Sequence, residues 1–167
     1  MNAPLPPLIG PEQAALIARR VSIIVGTRDA ALRPHVMRAL GCRLAGDLRR
    51  ITVFMAQSSG GAVLDDLRSN ALIAVVFSEP SSNRTVQFKG SDAVVAPIEA
   101  GDALVVDRYL RGFIEEIAQL GFPENIAHTI LGHGPDDLIA VHFTPVAGFE
   151  QTPGPTAGQA LASQSGR

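Results

Sequence analysis

Short apolar runs separated by turn residues recur along most of the chain, and they predict its secondary structure. Residues 21–27 are β-branched and apolar, which is typical of a buried strand. Ile51, Val53 and Met55 recur at every second position of another run, which is the period of a strand. The pattern as a whole predicts seven strands, over residues 21–27, 34–42, 51–56, 72–77, 85–89, 94–96 and 138–144.

Apolar residues at helical spacing predict four helices. Pro11 is a suitable first-turn residue for a helix with an apolar stripe at residues 15–17. A second helix is expected at residues 62–69, after a polar, glycine-rich loop at residues 57–61. A longer one covers residues 101–120 and a shorter one follows from Pro123. In the long helix one face is expected to carry Leu104, Val105, Tyr109, Phe113, Ile117 and Leu120.

The order of these elements indicates the fold class. Parallel sheets need strands and crossover helices in regular alternation, and this chain has strands joined by short turns instead. We therefore expect a mainly β protein, a small antiparallel barrel with peripheral helices, in one domain over residues 1–150. Residues 151–167 are rich in Pro, Gly and small side chains and form a tail, either disordered or laid over a neighbouring surface.

Composition excludes several classes of protein. With 46% hydrophobic residues and a mean hydropathy of +0.20, the chain is not intrinsically disordered. No apolar run reaches the length of a membrane helix, and no signal peptide is visible. A net charge of −2 without a basic block argues against nucleic acid as a partner. The single cysteine, Cys42, excludes a disulfide framework, so we expect a cytoplasmic protein. Lys89 is the only lysine among 14 basic residues, a bias typical of GC-rich bacterial genomes.

Motifs for metal binding or nucleophilic catalysis are absent from the sequence. The four histidines have no ligand spacing shared with carboxylates or cysteines, so no metal site is predicted. Neither serine of the 57–61 segment has the G-x-S-x-G context of a hydrolase, and the segment lacks the end of a P-loop. Cys42 is read as a buried strand residue, with a low-pKa thiol beside Arg43 as the alternative. We predict no catalytic residue.

One group of residues fits an anion. Ser58 and Ser59 precede a predicted helix, where free backbone N–H groups and the helix dipole attract phosphate. Arg38, on the preceding hairpin, could reach the same place, and Arg84 and Thr85 lie on a strand that can neighbour it. The alternative is an ordinary capped helix with solvated arginines.

Several segments resemble the pyridoxamine 5'-phosphate oxidase-like family of FMN-binding split barrels. The segments at 21–27 and 33–36 are similar to that family's opening hairpin. Those at 51–56, 66–71 and 74–77 follow in the same order, and residues 84–90 resemble its Arg-Gln-Val…Gly strand. The resemblance covers residues 12–96, about half the chain. It implies a six-stranded antiparallel split β-barrel.

The same resemblance implies the function. Family members are homodimers with two FMN sites at the subunit interface, each built from both chains. Carried over to this sequence, the phosphate ligands would be Arg38, Gln57, Ser58, Ser59, Arg84 and Thr85, with Thr85 at the family's glutamine position. Lysine and arginine ligands of the true oxidases are missing, because Leu40-Gly41-Cys42 and Ala62-Val63 stand in their places.

We therefore expect a homodimeric, FMN-dependent oxidoreductase that acts on a small-molecule substrate. The family's C-terminal substrate signature is absent and residues 151–155 stand there instead, so vitamin B6 is not the expected substrate. The alternative is a non-catalytic protein on the same barrel that binds flavin or haem. For haem, the axial ligand would have to come from His35, His128, His133 or His142.

Overall fold

Nine strands and four helices make up the part of the chain that the computed structural model describes, residues 7–134 and 136–162. The helices are α1 (Pro11–Ile17), α2 (Gln57–Asn70), α3 (Asp102–Ala118) and α4 (Glu124–Leu131). The strands are β1 (Ser22–Arg28), β2 (Pro34–Arg38), β3 (Gly41–Leu44), β4 (Ile51–Ala56), β5 (Ile73–Ser78), β6 (Thr85–Gly90), β7 (Val94–Pro97), β8 (Leu138–Phe143) and β9 (Ala147–Glu150).

The strands form two antiparallel sheets that close into a split barrel. The five-stranded sheet has the order β2-β1-β5-β6-β9 and the four-stranded sheet the order β3-β4-β8-β7. The chain passes between the sheets four times, from β2 to β3, from β4 to β5, from β6 to β7 and from β8 to β9. If β2 and β3 are counted as one bent strand, and β6 and β7 as another, six strands surround the interior and β9 is added at an edge. The predicted mainly β, six-stranded barrel with peripheral helices is confirmed.

Apolar side chains fill the barrel and α1 and α2 pack against them. Phe77, Phe88 and Phe143 are among the largest fully buried side chains of the interior. Leu16 and Ile17 join it from α1, and the predicted stripe of α2 joins it through Val63, Leu64 and Leu67. Burying this cluster is the main driving force for closing the two sheets on each other.

The two sheets differ in what lies on their outer faces. All six residues of β4 are buried, because α3 and α4 cover the outer face of the four-stranded sheet. A second apolar cluster forms there, with Phe54 from β4 against Phe113 and Ile117 from α3. In β1, β5 and β6 buried residues instead alternate with half-buried or exposed ones, so only the inner face of the five-stranded sheet is packed.

The other face of the five-stranded sheet points away from the barrel interior, and we call it the outer sheet face. Its side chains form three rows across the strands. The strand pairing and the alternation of burial define the rows. They are Ser22–Ser78–Thr85, then Arg38–Ile24–Val76–Gln87–Phe149, then Val36–Gly26–Ala74–Lys89–Ala147.

Three sequence expectations were wrong in detail. The strand predicted over residues 34–42 is broken at Ala39 and Leu40, which are buried where the chain changes sheets. The expected loop at residues 57–61 is already helical, although Gly61 (φ 20°, ψ −112°) interrupts the helix there. Leu104 and Leu120 are exposed, and Val106 takes the expected place in the core.

The last strand and the tail also differ from expectation. β9 was not predicted, since Pro145 appeared to end the preceding strand. Residues 151–162 turn back onto β9: Gly158 N–H donates to the Glu150 carbonyl at 2.7 Å, and Leu161 N–H donates to that of Gly148 at 2.8 Å. This part of the tail therefore packs on its own chain. Residues 163–167, and residues 1–6 of the N-terminal arm, lie outside the described residues.

Candidate functional site

A guanidinium group and three hydroxyl groups lie side by side at one end of the outer sheet face. Ser22, Ser78 and Thr85 are register partners on β1, β5 and β6, and we call them the hydroxyl row. Arg38 reaches the row from β2, where its Nη1 donates to Ser22 Oγ at 2.6 Å. The Ser78 and Thr85 hydroxyls are 2.7 Å apart.

The electrostatics of this end favour an anion. Within residues 7–134 and 136–162, no carboxylate lies within ion-pair distance of Arg38. Its guanidinium instead lies 5.9 Å from the ring centroid of Phe113, a cation–π contact that helps to hold it in place. Since Ser22 accepts from Arg38, the Ser22 hydroxyl proton is free to be donated to a ligand.

Arg84 lies beside this row in sequence but its side chain turns away. Its Nη2 donates to Glu12 Oε1 on α1 at 3.0 Å. The neighbouring Thr85 N–H donates to Thr152 Oγ1 of the tail, also at 3.0 Å. Of the two residues predicted on this strand, the structure therefore places Thr85 in the hydroxyl row, two strands from the Ser22 that Arg38 contacts, and pairs Arg84 with α1.

The predicted residues at the start of α2 contact a carboxylate of their own chain. Asp137 accepts from the Ser58 N–H at 2.7 Å and from the Ser58 hydroxyl at 2.6 Å. These two hydrogen bonds outweigh desolvation and hold the pKa of Asp137 below its usual range. Gln57 N–H donates to the backbone carbonyl of Asp137 at 2.7 Å, and the Ser59 hydroxyl donates to the Ala56 carbonyl. An acidic side chain thus caps the helix end at which we expected phosphate.

A groove of about 560 Å³ opens at the other end of the outer sheet face. Its wall is mainly apolar, with Val36 and Val146 prominent on its surface at 71% and 62% exposure. Lys89 also lines it, with Nζ 4.9 Å from the ring centroid of Phe149. Arg28 is a second basic residue of the wall. The groove therefore combines an apolar surface with positive charge at its rim.

A histidine of the groove wall is held by a buried carboxylate. His35 Nδ1 lies 2.8 Å from Asp66 Oδ2, and the Thr27 hydroxyl donates to the same oxygen at 2.7 Å. Asp66 is buried on α2, whereas the His35 side chain is 32% exposed. Desolvation raises the pKa of Asp66, but the hydrogen bonds from His35 and Thr27 outweigh it and leave that pKa below its usual value.

Sequence reasoning missed Ser22, Ser78 and Asp66 as parts of a site, and it named His35 only as one of four possible haem ligands. Ser22 stands on the polar side of an alternating strand, but only strand register shows that Ser78 and Thr85 lie beside it. His35 and Asp66 are separated by 31 residues. No spacing in the sequence links two such positions.

The other candidate groups lie elsewhere. His128 pairs with Glu124 at 2.9 Å on the surface of α4, and His142 Nδ1 lies 2.8 Å from Thr52 Oγ1. Cys42 is half-buried and lines a surface pocket, but desolvation raises the pKa of its thiol to about 12, which argues against the reactive, low-pKa thiol. Across the two described ranges, no three His, Cys, Asp or Glu side chains converge as metal ligands, and no helix there is long and apolar enough to cross a bilayer.

Comparisons with known proteins identify the fold. No protein-family model and no curated protein matches the chain. HupZ of Group A Streptococcus superposes with a TM-score of 0.55 at 17% identity, over 90% of this chain and 99% of that one. A candidate pyridoxamine 5'-phosphate oxidase from Lactobacillus delbrueckii gives 0.52 at 14% identity, over 84% and 92% of the two chains. An F420 reductase gives 0.53 at 16% identity, over 80% and 93%. At these identities the similarity is one of fold, and it confirms the fold that the sequence resemblance implied.

Proposed function

We propose that this chain, which has the split-barrel fold of the pyridoxamine 5'-phosphate oxidase-like proteins, is a flavoprotein that binds FMN non-covalently. In this proposal it is a homodimeric, cytoplasmic bacterial oxidoreductase that acts on a small molecule other than vitamin B6. The observation that carries the proposal is the Arg38 guanidinium, free of carboxylate partners in the described chain, beside the hydroxyl row at the end of an open apolar sheet face.

The hydroxyl row and Arg38 suit the phosphate of FMN. A dianionic phosphate has several acceptor oxygens, and it binds strongly to a guanidinium and to hydroxyl donors. Arg38 has donors beyond the one used by Ser22, and the Ser22 hydroxyl proton is available. On the two neighbouring strands, Thr85 donates its hydroxyl proton to the Asn83 carbonyl at 3.0 Å and Ser78 then donates to Thr85, so these two hydroxyls would join the donor set only by leaving those contacts. Gln57, Ser58 and Ser59 remain proposed ligands only if the Asp137 carboxylate moves from Ser58.

The middle of the outer sheet face suits the flavin ring. Beyond the hydroxyl row, its next positions on β1 and β5 are Ile24, Val76, Gly26 and Ala74. Small side chains at Gly26 and Ala74 leave a shallow surface on which a planar ring can lie. The groove with Lys89 then begins at the far side of the ring, where a substrate could enter.

The same face gives the proposed dimer interface. Among the described residues α3 reaches its Arg38 edge through Phe113, whereas α3 and α4 cover the outer face of the other sheet. Val36 and Val146 expose more than half of their surface there, and burying them against a second copy would remove apolar area from water. A cofactor on this face would lie between the two subunits and be shielded from solvent by both.

The chemistry would come from the cofactor when it is bound, since flavins carry electrons between an organic substrate and an acceptor. The contribution of the chain is to bind the phosphate, orient the ring and exclude water. Such a role explains why the sequence contains no nucleophile with an activating base.

An absorbance spectrum of freshly purified protein, before and after adding FMN and desalting, tests this proposal. We expect the two flavin bands in the near-ultraviolet and blue to be retained. Because one structural neighbour is an F420 reductase, the same spectra are also recorded with F420 in place of FMN. A protein that retains neither cofactor would contradict the proposal.

A second candidate function is supported by His35. Among the four histidines only His35 is a lining residue of the groove, and to serve as an axial ligand in a non-catalytic haem-binding protein its ring would have to turn from Asp66 towards the groove. The spectrum separates the candidates, because haem gives one intense Soret band where flavin gives two weaker bands.

A further inference from the structure

A glycine at the floor of the groove is not required by the packing of the chain itself. Gly26 lies in β1, between β2 and β5, where a glycine weakens a strand because it has no side chain to pack. Its φ is not positive, and a Cβ placed on it would meet no atom closer than the Ala74 carbonyl oxygen at 3.8 Å. Val36 Cγ1 follows at 3.9 Å. A glycine in the middle of a strand is typical of a place where a ligand comes close to the backbone, and here it leaves open space on the outer sheet face.

Strand register places two basic side chains at the edges of this open space. Lys89 pairs with Ala74, which pairs with Gly26, so the three lie in one row across the outer sheet face. Arg28 is two residues beyond Gly26 on β1 and therefore lies on the same face. Both basic residues are exposed and line the groove. The spacing of strands and residues puts their Cα atoms roughly 12 Å apart, so the two long side chains can reach one ligand between them.

The positive charge of the groove is not neutralised by the described chain. No aspartate or glutamate of residues 7–134 and 136–162 lines the groove, and none lies within ion-pair distance of Lys89 or Arg28. The neighbouring Asp29 carboxylate pairs with Arg33 at 2.7 Å, while Arg28 Nη1 donates to the Asp29 carbonyl oxygen at 3.2 Å. Two unpaired cations beside an apolar wall attract a molecule that has both an apolar body and a negative charge.

We propose that the groove binds a planar, apolar organic anion, and that Lys89 and Arg28 select it by its negative charge. The inference rests on the proposed function in that this anion would be the substrate, held beside the flavin ring. Gly26 and Ala74 keep the floor of the groove low enough for a flat ring system, and Val36 forms an apolar side. The volume of about 560 Å³ is that of an ordinary small-molecule site.

The probes are 2-naphthoate and 2-naphthamide, which share a ring system and differ in charge. In equilibrium dialysis at neutral pH, we expect the protein as purified to bind naphthoate about tenfold more tightly than naphthamide. Lys89→Met keeps an apolar stem without the charge and should lower this ratio about threefold, the effect of losing one exposed ion pair. Arg28→Met should do the same. Arg108→Met is the matched control, because this exposed arginine of α3 lines a different pocket, and it should leave the ratio unchanged.

The floor of the groove is tested by Gly26→Val. A β-branched side chain suits a strand, and the open space admits its Cβ, so the melting temperature should not fall. The added methyl groups would occupy the space above the sheet. Both probes should therefore bind about tenfold or more weakly, whatever their charge.

Four results would overturn the proposal: binding of neither probe, equal affinity for both in the wild type, an unchanged ratio in Lys89→Met and Arg28→Met, or unchanged binding in Gly26→Val. Flavin retention is measured separately on the same wild-type sample from its absorbance spectrum. A protein that selects naphthoate through Lys89 but retains no flavin contradicts only the proposed function. A protein that retains flavin without this selection contradicts only the role of the groove.

Discussion

The carboxylate of Asp137 caps the first turn of α2 through Ser58, accepting its backbone N–H at 2.7 Å and its hydroxyl at 2.6 Å. Asp137 immediately precedes β8, so this contact ties the start of a helix to a strand 79 residues further along the chain. The positive end of the helix dipole and a negative side chain attract each other at this point. The helix end that resembles a phosphate site in the sequence is thus neutralised by the chain itself.

Replacing Asp137 by alanine should destabilise the protein. The Ser58 N–H loses its acceptor, and we expect the melting temperature to fall by about 2–4 °C, the shift caused by losing an ordinary helix cap in a chain of this size. Calorimetry of the variant measures the shift. Asp136→Ala is the matched control, because it removes the adjacent, exposed carboxylate. An equal loss in both variants would mean that loop charge, and not the cap, is responsible.

Acid should remove the stability that the Asp137 cap gives to the folded protein. The pKa of Asp137 is lowered in the folded chain, so its stabilising effect is complete above the ordinary aspartate value of 3.8 and is lost as the pH falls through the lower folded value. The difference in melting temperature between wild type and Asp137→Asn should therefore be constant at neutral pH and narrow only below pH 3.8. A difference that vanishes between pH 7 and 5 would contradict this assignment.

Two arginines that the sequence could not rank are distinguished by their partners. Arg38→Ala removes a guanidinium from the hydroxyl row, and charge-assisted hydrogen bonds contribute about 1.5–3 kcal/mol each, so FMN affinity should fall roughly 10- to 100-fold. Arg84→Ala breaks a surface pair with Glu12, and it should change the FMN affinity little. Titration of FMN fluorescence measures both. An equal loss of FMN affinity in Arg84→Ala would indicate that the phosphate binds on the α1 side of β6 instead.

The barrel was predictable because its strands carry the signal in their own residues. Alternation of core and surface positions in β1, β5 and β6 gives strand, face and antiparallel class without any tertiary information. The change of sheet after β2 gives no such signal, because residues 39–42 read as a continuation of the strand. Gly41 marks the crossing, with φ at +146° and the Tyr109 side chain 3.3 Å from where a Cβ would lie.

The candidate site was harder to predict because it depends on register and distant partners. Arg38 and Thr85 could be named from the resemblance, but Ser22 and Ser78 join them only through the pairing of three strands. The start of α2 could not be interpreted correctly without Asp137, whose contact is entirely non-local.

Cys42 should be unreactive in the folded protein. Its Sγ lies 3.9 Å from the Ile17 carbonyl oxygen, and burial raises the pKa of the thiol from 9.0 to about 12. The thiolate fraction at pH 8 then falls by about a thousandfold, so alkylation by iodoacetamide should slow by about the same factor relative to the denatured chain. Mass spectrometry of the native and denatured reactions provides the comparison. Rapid labelling of the native protein would show that the thiol is open to solvent.

The outer sheet face is expected to hold two copies together through Val36. This side chain is 71% exposed on β2 in the single chain, and an aspartate there would place a charge in the proposed interface. Val36→Asp should therefore shift the protein from dimer to monomer in light scattering coupled to size exclusion. It should also weaken FMN retention, because a site between subunits loses one of its walls.

The control for this substitution is Leu104→Asp, which changes an equally prominent apolar side chain, 63% exposed on α3, on a different face of the molecule. It should leave both the dimer and FMN retention intact. A dimer that survives Val36→Asp and dissociates on Leu104→Asp would place the interface on α3. The outer sheet face would then be left uncovered in the dimer, and the apolar rows beside Arg38 would have to bind the cofactor without a second subunit.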